Sequence, residues 1–371
     1  MTKSTRSSSE PLRLGLVGCG AISGAYFGGL APFPHLARIV ACADLDLNRA
    51  RERAAQHGIP RVLTVDELLA DPEIDAVLNL TIPAAHASIN LRALQAGKHS
   101  YCEKPFALNY KEGLRVLQEA KKRRLRCGSA PDTVLGGGIM TCRKVIDDGL
   151  IGQPIAATAN CAGHGHESWH PSPEFYYQPG GGPLFDMGPY YLTSLVTMLG
   201  PVKSLTALAK ATFKERLITS QPLHGRKIKV KTPTHLIGNL EFGKEVFATV
   251  TMSFDIWQHG LPMIEIYGTE GSLRCPDPNG FGGDVTVWTV KKPQWEKVPP
   301  IYEGSLNRGV GLADLAQSLQ QKRPERLNGE LALHIVEVME SFHISAKTGR
   351  KVTMKSKCRR PTPLTPDLIL A

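Results

Sequence analysis

Gly18-Cys19-Gly20-Ala21-Ile22-Ser23 follows directly on the apolar run Leu14-Gly15-Leu16-Val17 and opens a helix-like segment, Ala21 to Leu30. A G-x-G-x-x-S turn in that setting suits a pyrophosphate. Its first two glycines permit a tight turn and close backbone approach, and the helix N-terminus offers unpaired N–H groups to an anion. Gly18, Gly20, Ala21 and Ile22 are the candidate contacts, and Ser23 is small enough for close helix–strand packing. Asp44 stands 21 residues beyond Ser23, at the end of the apolar run Ile39 to Ala43, where a carboxylate can bind ribose hydroxyls. The same charge repels a 2′-phosphate, so the pattern predicts NAD, while Arg49 leaves NADP open. Glycines that serve only turn geometry, with Asp44 capping the next helix, are the alternative.

Strands and helices alternate from Arg13 to Ala130. Thr64 and Glu67 form a capping box, Pro83 precedes a helix from about Ala85 to Ala96, and His99 to Cys102 reads as a strand. Asn109 with Glu112 caps the helix that ends in the basic run, and Arg126 to Ala130 is the last strand. This alternation implies a parallel sheet with helices on both faces, because parallel strands need helical crossovers. After Pro131, strand-like segments such as Leu236 to Phe242, Val246 to Phe254 and Met263 to Tyr267 follow one another, and helical patterns return only at Leu312 to Gln320 and Glu330 to Lys347. The fold expected is α/β: an N-terminal Rossmann dinucleotide-binding domain, residues 11–130, and a C-terminal α+β domain, residues 131–355, on a mostly antiparallel sheet. Residues 1–10 and 356–371 are expected to be tails, the first disordered.

Cys102-Glu103-Lys104-Pro105, after what would be the fifth strand of a Rossmann unit, resembles the Gfo/Idh/MocA family of glucose–fructose oxidoreductases and inositol dehydrogenases. The likeness extends through Gly149-Leu150-Ile151-Gly152, Gly180 to Gly188 and Tyr267-Gly268-Thr269-Glu270-Gly271, most of the chain between Leu12 and Val352. It implies a C-terminal domain whose large open sheet often forms the subunit interface, hence a homo-oligomer, dimer or tetramer. It also implies that Lys104 lies between nicotinamide and substrate oxygen, with Glu103 near the nicotinamide ribose. Thr81, Pro83 and His86 match a T-x-P-x-x-H segment bordering the cofactor after the fourth strand. The family's D-x-G-x-H motif reads Asp186-Met187-Gly188-Pro189-Tyr190 here, so a tyrosine replaces the histidine, as in some similar members.

The activity implied is hydride transfer between NAD and a hydroxyl or carbonyl of a sugar, polyol or inositol. Such chemistry needs a proton acceptor and a cation beside the developing alkoxide. Lys104, Asp186 and Tyr190 are the catalytic candidates, although a phenol titrates near 10 where an imidazole titrates near 6.5. Asp186 is alternatively a cap for the helix containing Tyr190 to Met198. Trp169, His170 and Asp132, with Lys104, Asp186 and Tyr190, are the candidate substrate contacts, Trp169 stacking on a sugar face. His164-Gly165-His166-Glu167 invites a metal reading, but nicotinamide chemistry needs none and none is predicted. A redox-neutral enzyme that oxidises a glycoside transiently and regenerates its NAD remains open. A non-catalytic dinucleotide-binding regulator is disfavoured by the presence of Lys104, Asp186 and Tyr190.

Composition agrees with a globular enzyme: 371 residues, 42% hydrophobic and 21% charged, allow two domains. No apolar run approaches the roughly 18 residues of a membrane span, and a polar N-terminus without a secretory core predicts a cytoplasmic protein without a membrane partner. The eight cysteines form no C-x-x-C pair and read as buried free thiols. The net charge of +10 concentrates in Lys121 to Arg126, Arg226 to Lys231 and Lys355 to Arg360. Without interleaved aromatics or a reader motif these runs predict solvated faces rather than nucleic-acid binding.

Overall fold

The computed structural model describes residues 10–302 and 306–364. The expected tail 1–10 lies outside these but for Glu10, as do residues 365–371.

The chain opens with β1 (Leu12–Val17), α1 (Ser23–Leu30), β2 (Ala37–Ala43), α2 (Leu47–His57), α3 (Val65–Ala70), β3 (Ala76–Asn79), α4 (Pro83–Gln95), β4 (His99–Cys102), α5 (Tyr110–Arg123) and β5 (Cys127–Ser129). The strands form one parallel sheet in the order β2-β1-β3-β4-β5. β1 and β3 are buried almost throughout, as strands covered on both faces must be. The Thr81 and Lys104 segments each follow one strand fewer than expected. Residues 61–63 touch the sheet through a single bridge, Cys42–Val62, so Lys104 follows the fourth. Asp46 caps α2 by accepting from the N–H groups of Asn48 and Arg49, and Gly58, at φ 64°, stops it. The Thr64–Glu67 capping box and the Asn109 cap form as the spacing predicts. Leu68, Ile74, Val77, Ile89 and Ala93 make the core between sheet and helices.

The second unit starts with α6 (Gly137–Asp147), β6 (Pro154–Ala162), α7 (Gly182–Asp186) and α8 (Gly188–Leu199). There follow β7 (Val202–Lys210), β8 (Glu215–Leu217), β9 (Lys227–Lys229), β10 (His235–Phe242), β11 (Phe247–Ser253), β12 (Ile264–Gly268), β13 (Gly271–Cys275), β14 (Val285–Thr289) and β15 (Lys292–Val298). After α9 (Val310–Gln320) and α10 (Gly329–Thr348), β16 (Val352–Thr353) completes a nine-stranded sheet, β15-β14-β13-β12-β6-β11-β10-β7-β16. Only the β6–β11 pair is parallel, so the sheet is mostly antiparallel as expected. β10 alternates strictly, with Leu236, Gly238, Leu240 and Phe242 inward. Gly238 is required there: a Cβ would lie 2.4 Å from the ring of Phe342 on α10, which is itself buried.

The chain divides differently from a cut at 130/131. Among the described residues, one compact unit takes 10–136, 306–333 and 364, and the other takes 137–302 and 334–363. Residues 306–333 return to the parallel sheet because buried polar groups hold them there. Asp132 accepts from Gly309 N–H at 2.5 Å, Ser129 N–H donates to Leu327 O at 3.3 Å, and Arg126 pairs with Glu325 at 3.1 Å. Periodicity along the chain does not reveal such long-range pairs. Nor are residues 356–364 a loose tail. Arg360 pairs with Asp147 at 2.7 Å, and Pro361 O accepts from the buried Arg143 at 2.9 Å.

His334, fully buried, accepts the Val202 N–H at Nε2 (3.0 Å), and its Nδ1 faces Ser356 Oγ at 2.8 Å. Burial pushes its pKa down from 6.5 to about 4, against the upward pull of Glu337. Its folded-state value lies below its unfolded one, so its contribution is complete above pH 6.5 and disappears as pH falls toward about 4. Urea unfolding at pH 7 and pH 4.5 is expected to show a smaller acid loss in His334→Gln than in the parent. Equal losses would remove His334 from the account.

Candidate functional site

The glycine turn joins β1 to α1. Gly18 adopts φ +100°, and a Cβ there would meet the Leu80 carbonyl at 2.6 Å, so a side chain is excluded twice over. At Gly20 a Cβ would meet nothing within 4 Å, which leaves open space above the turn. Ala21 is exposed and Ile22 half-buried, and no side chain caps the N–H groups of the α1 first turn. Ser23 Oγ donates to Gly20 O at 2.7 Å. Asp44 Oδ2 accepts from Cys19 N–H at 2.7 Å, and Oδ1 accepts from Asp46 N–H at 2.9 Å. Arg49 Nη1 stands 3.6 Å from Oδ1. Asp44 therefore braces the turn as well as offering a carboxylate at the ribose position. An uncapped helix start, an open glycine and a carboxylate at the end of β2 fit a dinucleotide.

Two loops at the ends of β3 and β4 are tied together beside this turn. Thr81 Oγ1 donates to the buried Asn79 Oδ1 at 2.6 Å, and Pro83 begins α4. His86, expected at the cofactor, is only 1% exposed. Its ring lies between the Thr81 and Pro105 carbonyls at 2.8 and 2.7 Å and so latches one loop to the other. Burial lowers its pKa, opposed by the two carbonyls. Glu103 is also buried: Oε1 accepts from Tyr26 OH at 2.8 Å, Oε2 accepts from Lys104 N–H at 3.0 Å, and Arg308 lies 3.8 Å away. This anchoring fixes the turn on which the half-buried Lys104 sits. Asp132, expected at the substrate, lies in the interior of the first unit. It is fully buried on the N–H groups of Gly309 and Gly311, and burial raises its pKa to about 6.

In the other unit Asp186 ends α7. The N-cap of α8 is Met187, without a side-chain cap bond, and the Asp186 carboxylate Oδ2 lies 3.5 Å from His166 Nε2. The His166 ring stacks on Tyr176 with centroids 3.7 Å apart and meets Phe254 edge-on at 4.7 Å. Trp169, 62% exposed, stands beside it at 5.2 Å. His170 N–H donates to His166 O at 2.9 Å, and its own Nδ1 accepts from Ser172 N–H at 3.0 Å. Tyr190, in the first turn of α8, is buried at 4% exposure. His164 stacks on Trp257 at 3.3 Å, apart from the Asp186 pair. Sequence reasoning singled out His166 only as part of a metal-like spacing; the useful signal was a histidine-rich segment in a chain whose motif histidine is Tyr190.

A family profile described as "Oxidoreductase family, NAD-binding Rossmann fold" matches residues 12–130, and one described as "GFO/IDH/MocA C-terminal domain" matches residues 139–274. A bovine (Bos taurus) trans-1,2-dihydrobenzene-1,2-diol dehydrogenase is 31% identical over 88% of this chain and 92% of its own length. The chain belongs to the Gfo/Idh/MocA family. This family member is an NAD-binding oxidoreductase. An oxidoreductase of Schizosaccharomyces pombe is 27% identical over 93% of this chain and all of its own. A levoglucosan dehydrogenase solved with NADH and L-sorbose superimposes with a TM-score of 0.80 at 19% identity, covering 94% of this chain and all of that one. Among the described residues, no helix is long and apolar enough to cross a membrane.

Proposed function

We propose that this enzyme oxidises a secondary alcohol of a sugar, polyol or inositol, or reduces the matching ketone, with Lys104, Asp186 and Tyr190 handling the substrate oxygen and its proton. The observation that carries the reading is the Lys104 turn, fixed at the end of β4 by Glu103, Tyr26 and the His86 latch, in the unit that holds the dinucleotide turn. Bound NAD supplies the two-electron oxidant. The Lys104 ammonium steadies negative charge on the oxygen as its proton leaves. The Tyr190 hydroxyl relays that proton, and the Asp186 carboxylate orients the hydroxyl. Trp169 and His170 offer an aromatic and polar edge to a ring substrate. A screen for NAD reduction against sugars, inositols, levoglucosan and trans-1,2-dihydrobenzene-1,2-diol tests the reading; no NADH formation with any of them would count against it.

Cofactor preference follows from Asp44. NAD is expected to bind more tightly than NADP, and Asp44→Ala to narrow the gap, because the carboxylate repels a 2′-phosphate. Calorimetric titration showing equal or tighter NADP binding by the parent would sink this. Arg49, paired with Asp44 and half exposed, is the group such a phosphate would recruit.

A homo-oligomer built on the open sheet is the assembly proposed. Its outward face sets Leu208 beside Ile237, and Thr206, Asn239 and Thr249 in one cross-strand row, with Phe247 at 59% exposure. Short β-branched side chains and a few exposed apolar ones suit a flat sheet-to-sheet contact. Light scattering that returns a monomer mass at micromolar concentration would refute it.

A further inference from the structure

An imidazole within 3.5 Å of Asp186 comes from another part of the chain than the motif. Position 190 holds a buried tyrosine, whereas His166, from the loop after β6, brings Nε2 to 3.5 Å from Asp186 Oδ2. The ring has little freedom to leave. It lies flat on Tyr176, its edge meets Phe254, and its backbone N–H donates to Tyr177 OH at 3.4 Å. Its carbonyl accepts from the N–H groups of Trp169 and His170, and the adjacent Glu167 is locked to the buried Arg216 at 2.6 Å. His166 Nδ1 is buried and meets no hydrogen-bond partner among the described residues. An N–H left without an acceptor costs more than an idle lone pair beside aromatic neighbours. Geometry therefore puts the ring proton on Nε2, aimed at Asp186.

We infer that His166 is a positioning residue for Asp186: it donates Nε2–H to the carboxylate and holds it in the orientation that serves the Tyr190 hydroxyl. The inference rests on the reading of Asp186 given under Proposed function. The charged and titratable groups around the ring are Asp186 from α7, His170 and Glu167 from its own loop, and the Tyr176 and Tyr177 hydroxyls from the segment before α7. Of these, Asp186 is the carboxylate in reach of Nε2. A donor held by stacking, on an element separate from the carboxylate it serves, keeps that carboxylate aligned without using Tyr190, which is left for the proton.

Two measurements test this on the full chain. Long-range 1H–15N NMR of the 15N-histidine-labelled protein with NADH is expected to show a proton on His166 Nε2, and a changed Nε2 signal in Asp186→Ala. His166→Phe supplies the resonance assignment. A lone pair at Nε2, or a signal indifferent to Asp186→Ala, overturns the inference, and this result requires no turnover. In kinetics with whichever of levoglucosan, myo-inositol and trans-1,2-dihydrobenzene-1,2-diol the parent oxidises, His166→Phe keeps the stack but loses the donor. It is expected to lower kcat ~10- to 100-fold while changing KM for NAD less than ~2-fold. His166→Gln, whose amide reaches the Nε2 position, is expected to recover most of that loss; equal loss in both variants, or none in His166→Phe, overturns the positioning role. Failure of the wider reading has a different signature, in which Lys104→Ala and Asp186→Ala themselves stay fully active.

Discussion

Lys104→Ala is expected to lower kcat ~10²-fold or more while leaving NADH affinity within ~2-fold. The lysine is the cation proposed to face the oxygen that gains charge, so its absence is felt in the transition state and little in cofactor binding, which rests on the glycine turn and Asp44. The turn itself should survive, because Glu103 accepts the backbone N–H of residue 104, not its side chain. Tyr190→Phe is the informative partner. It keeps the buried ring and removes only the hydroxyl. Full activity of Tyr190→Phe across pH, with Lys104→Ala dead, would make the lysine the acid/base and leave Tyr190 a shaping role. Full activity of both variants would refute the assignment.

Arg216→Ala should destabilise the protein by ~3–5 kcal/mol, the cost of breaking a buried ion pair from one side. The Arg216 side chain is 3% exposed, with Nε 2.6 Å from Glu167 Oε1 and Nη1 3.1 Å from Asp255 Oδ1. Nη2 donates to the His164 and Phe254 carbonyls at 2.5 and 2.8 Å. Its removal leaves two buried carboxylates and two carbonyls without their donor. Tyr177 OH also donates to Glu167, and Thr234 Oγ1 to Asp255 at 2.7 Å, but neither brings positive charge. Arg216→Lys should recover only part, because a point charge on a flexible stem cannot meet four acceptors in one plane. Urea unfolding followed by circular dichroism measures the loss; a change below ~1 kcal/mol would mean the network contributes little. Since the network frames the loop bearing His166 and Trp169, lost activity at temperatures where Arg216→Ala remains folded should accompany the lost stability.

Local patterns in the sequence determined the parts of this protein whose causes are local. The turn at Gly18 to Ser23, the Thr64–Glu67 and Asn109 caps, and Asp44 at a strand end each depend on neighbours a few residues away or on one strand–turn–helix unit. Alternating strands and helices called for a parallel sheet, and consecutive strands for an antiparallel one, because crossover length limits the pairings a chain can make. The order of family motifs pointed to NAD and an alcohol. Tertiary structure decided the rest. Residues 306–333 join the first unit because Asp132, Ser129 and Arg126 find partners some 180 to 200 positions along the chain. His86 latches two loops, and Asp132 anchors the returning segment, through bonds to backbone groups far along the chain or across a turn. His166 met Asp186 across 20 residues that show no shared periodicity. A side chain's type announces the chemistry available to it, whereas its partner is set by the packing of segments distant in the chain, and that information is absent from any short window of sequence.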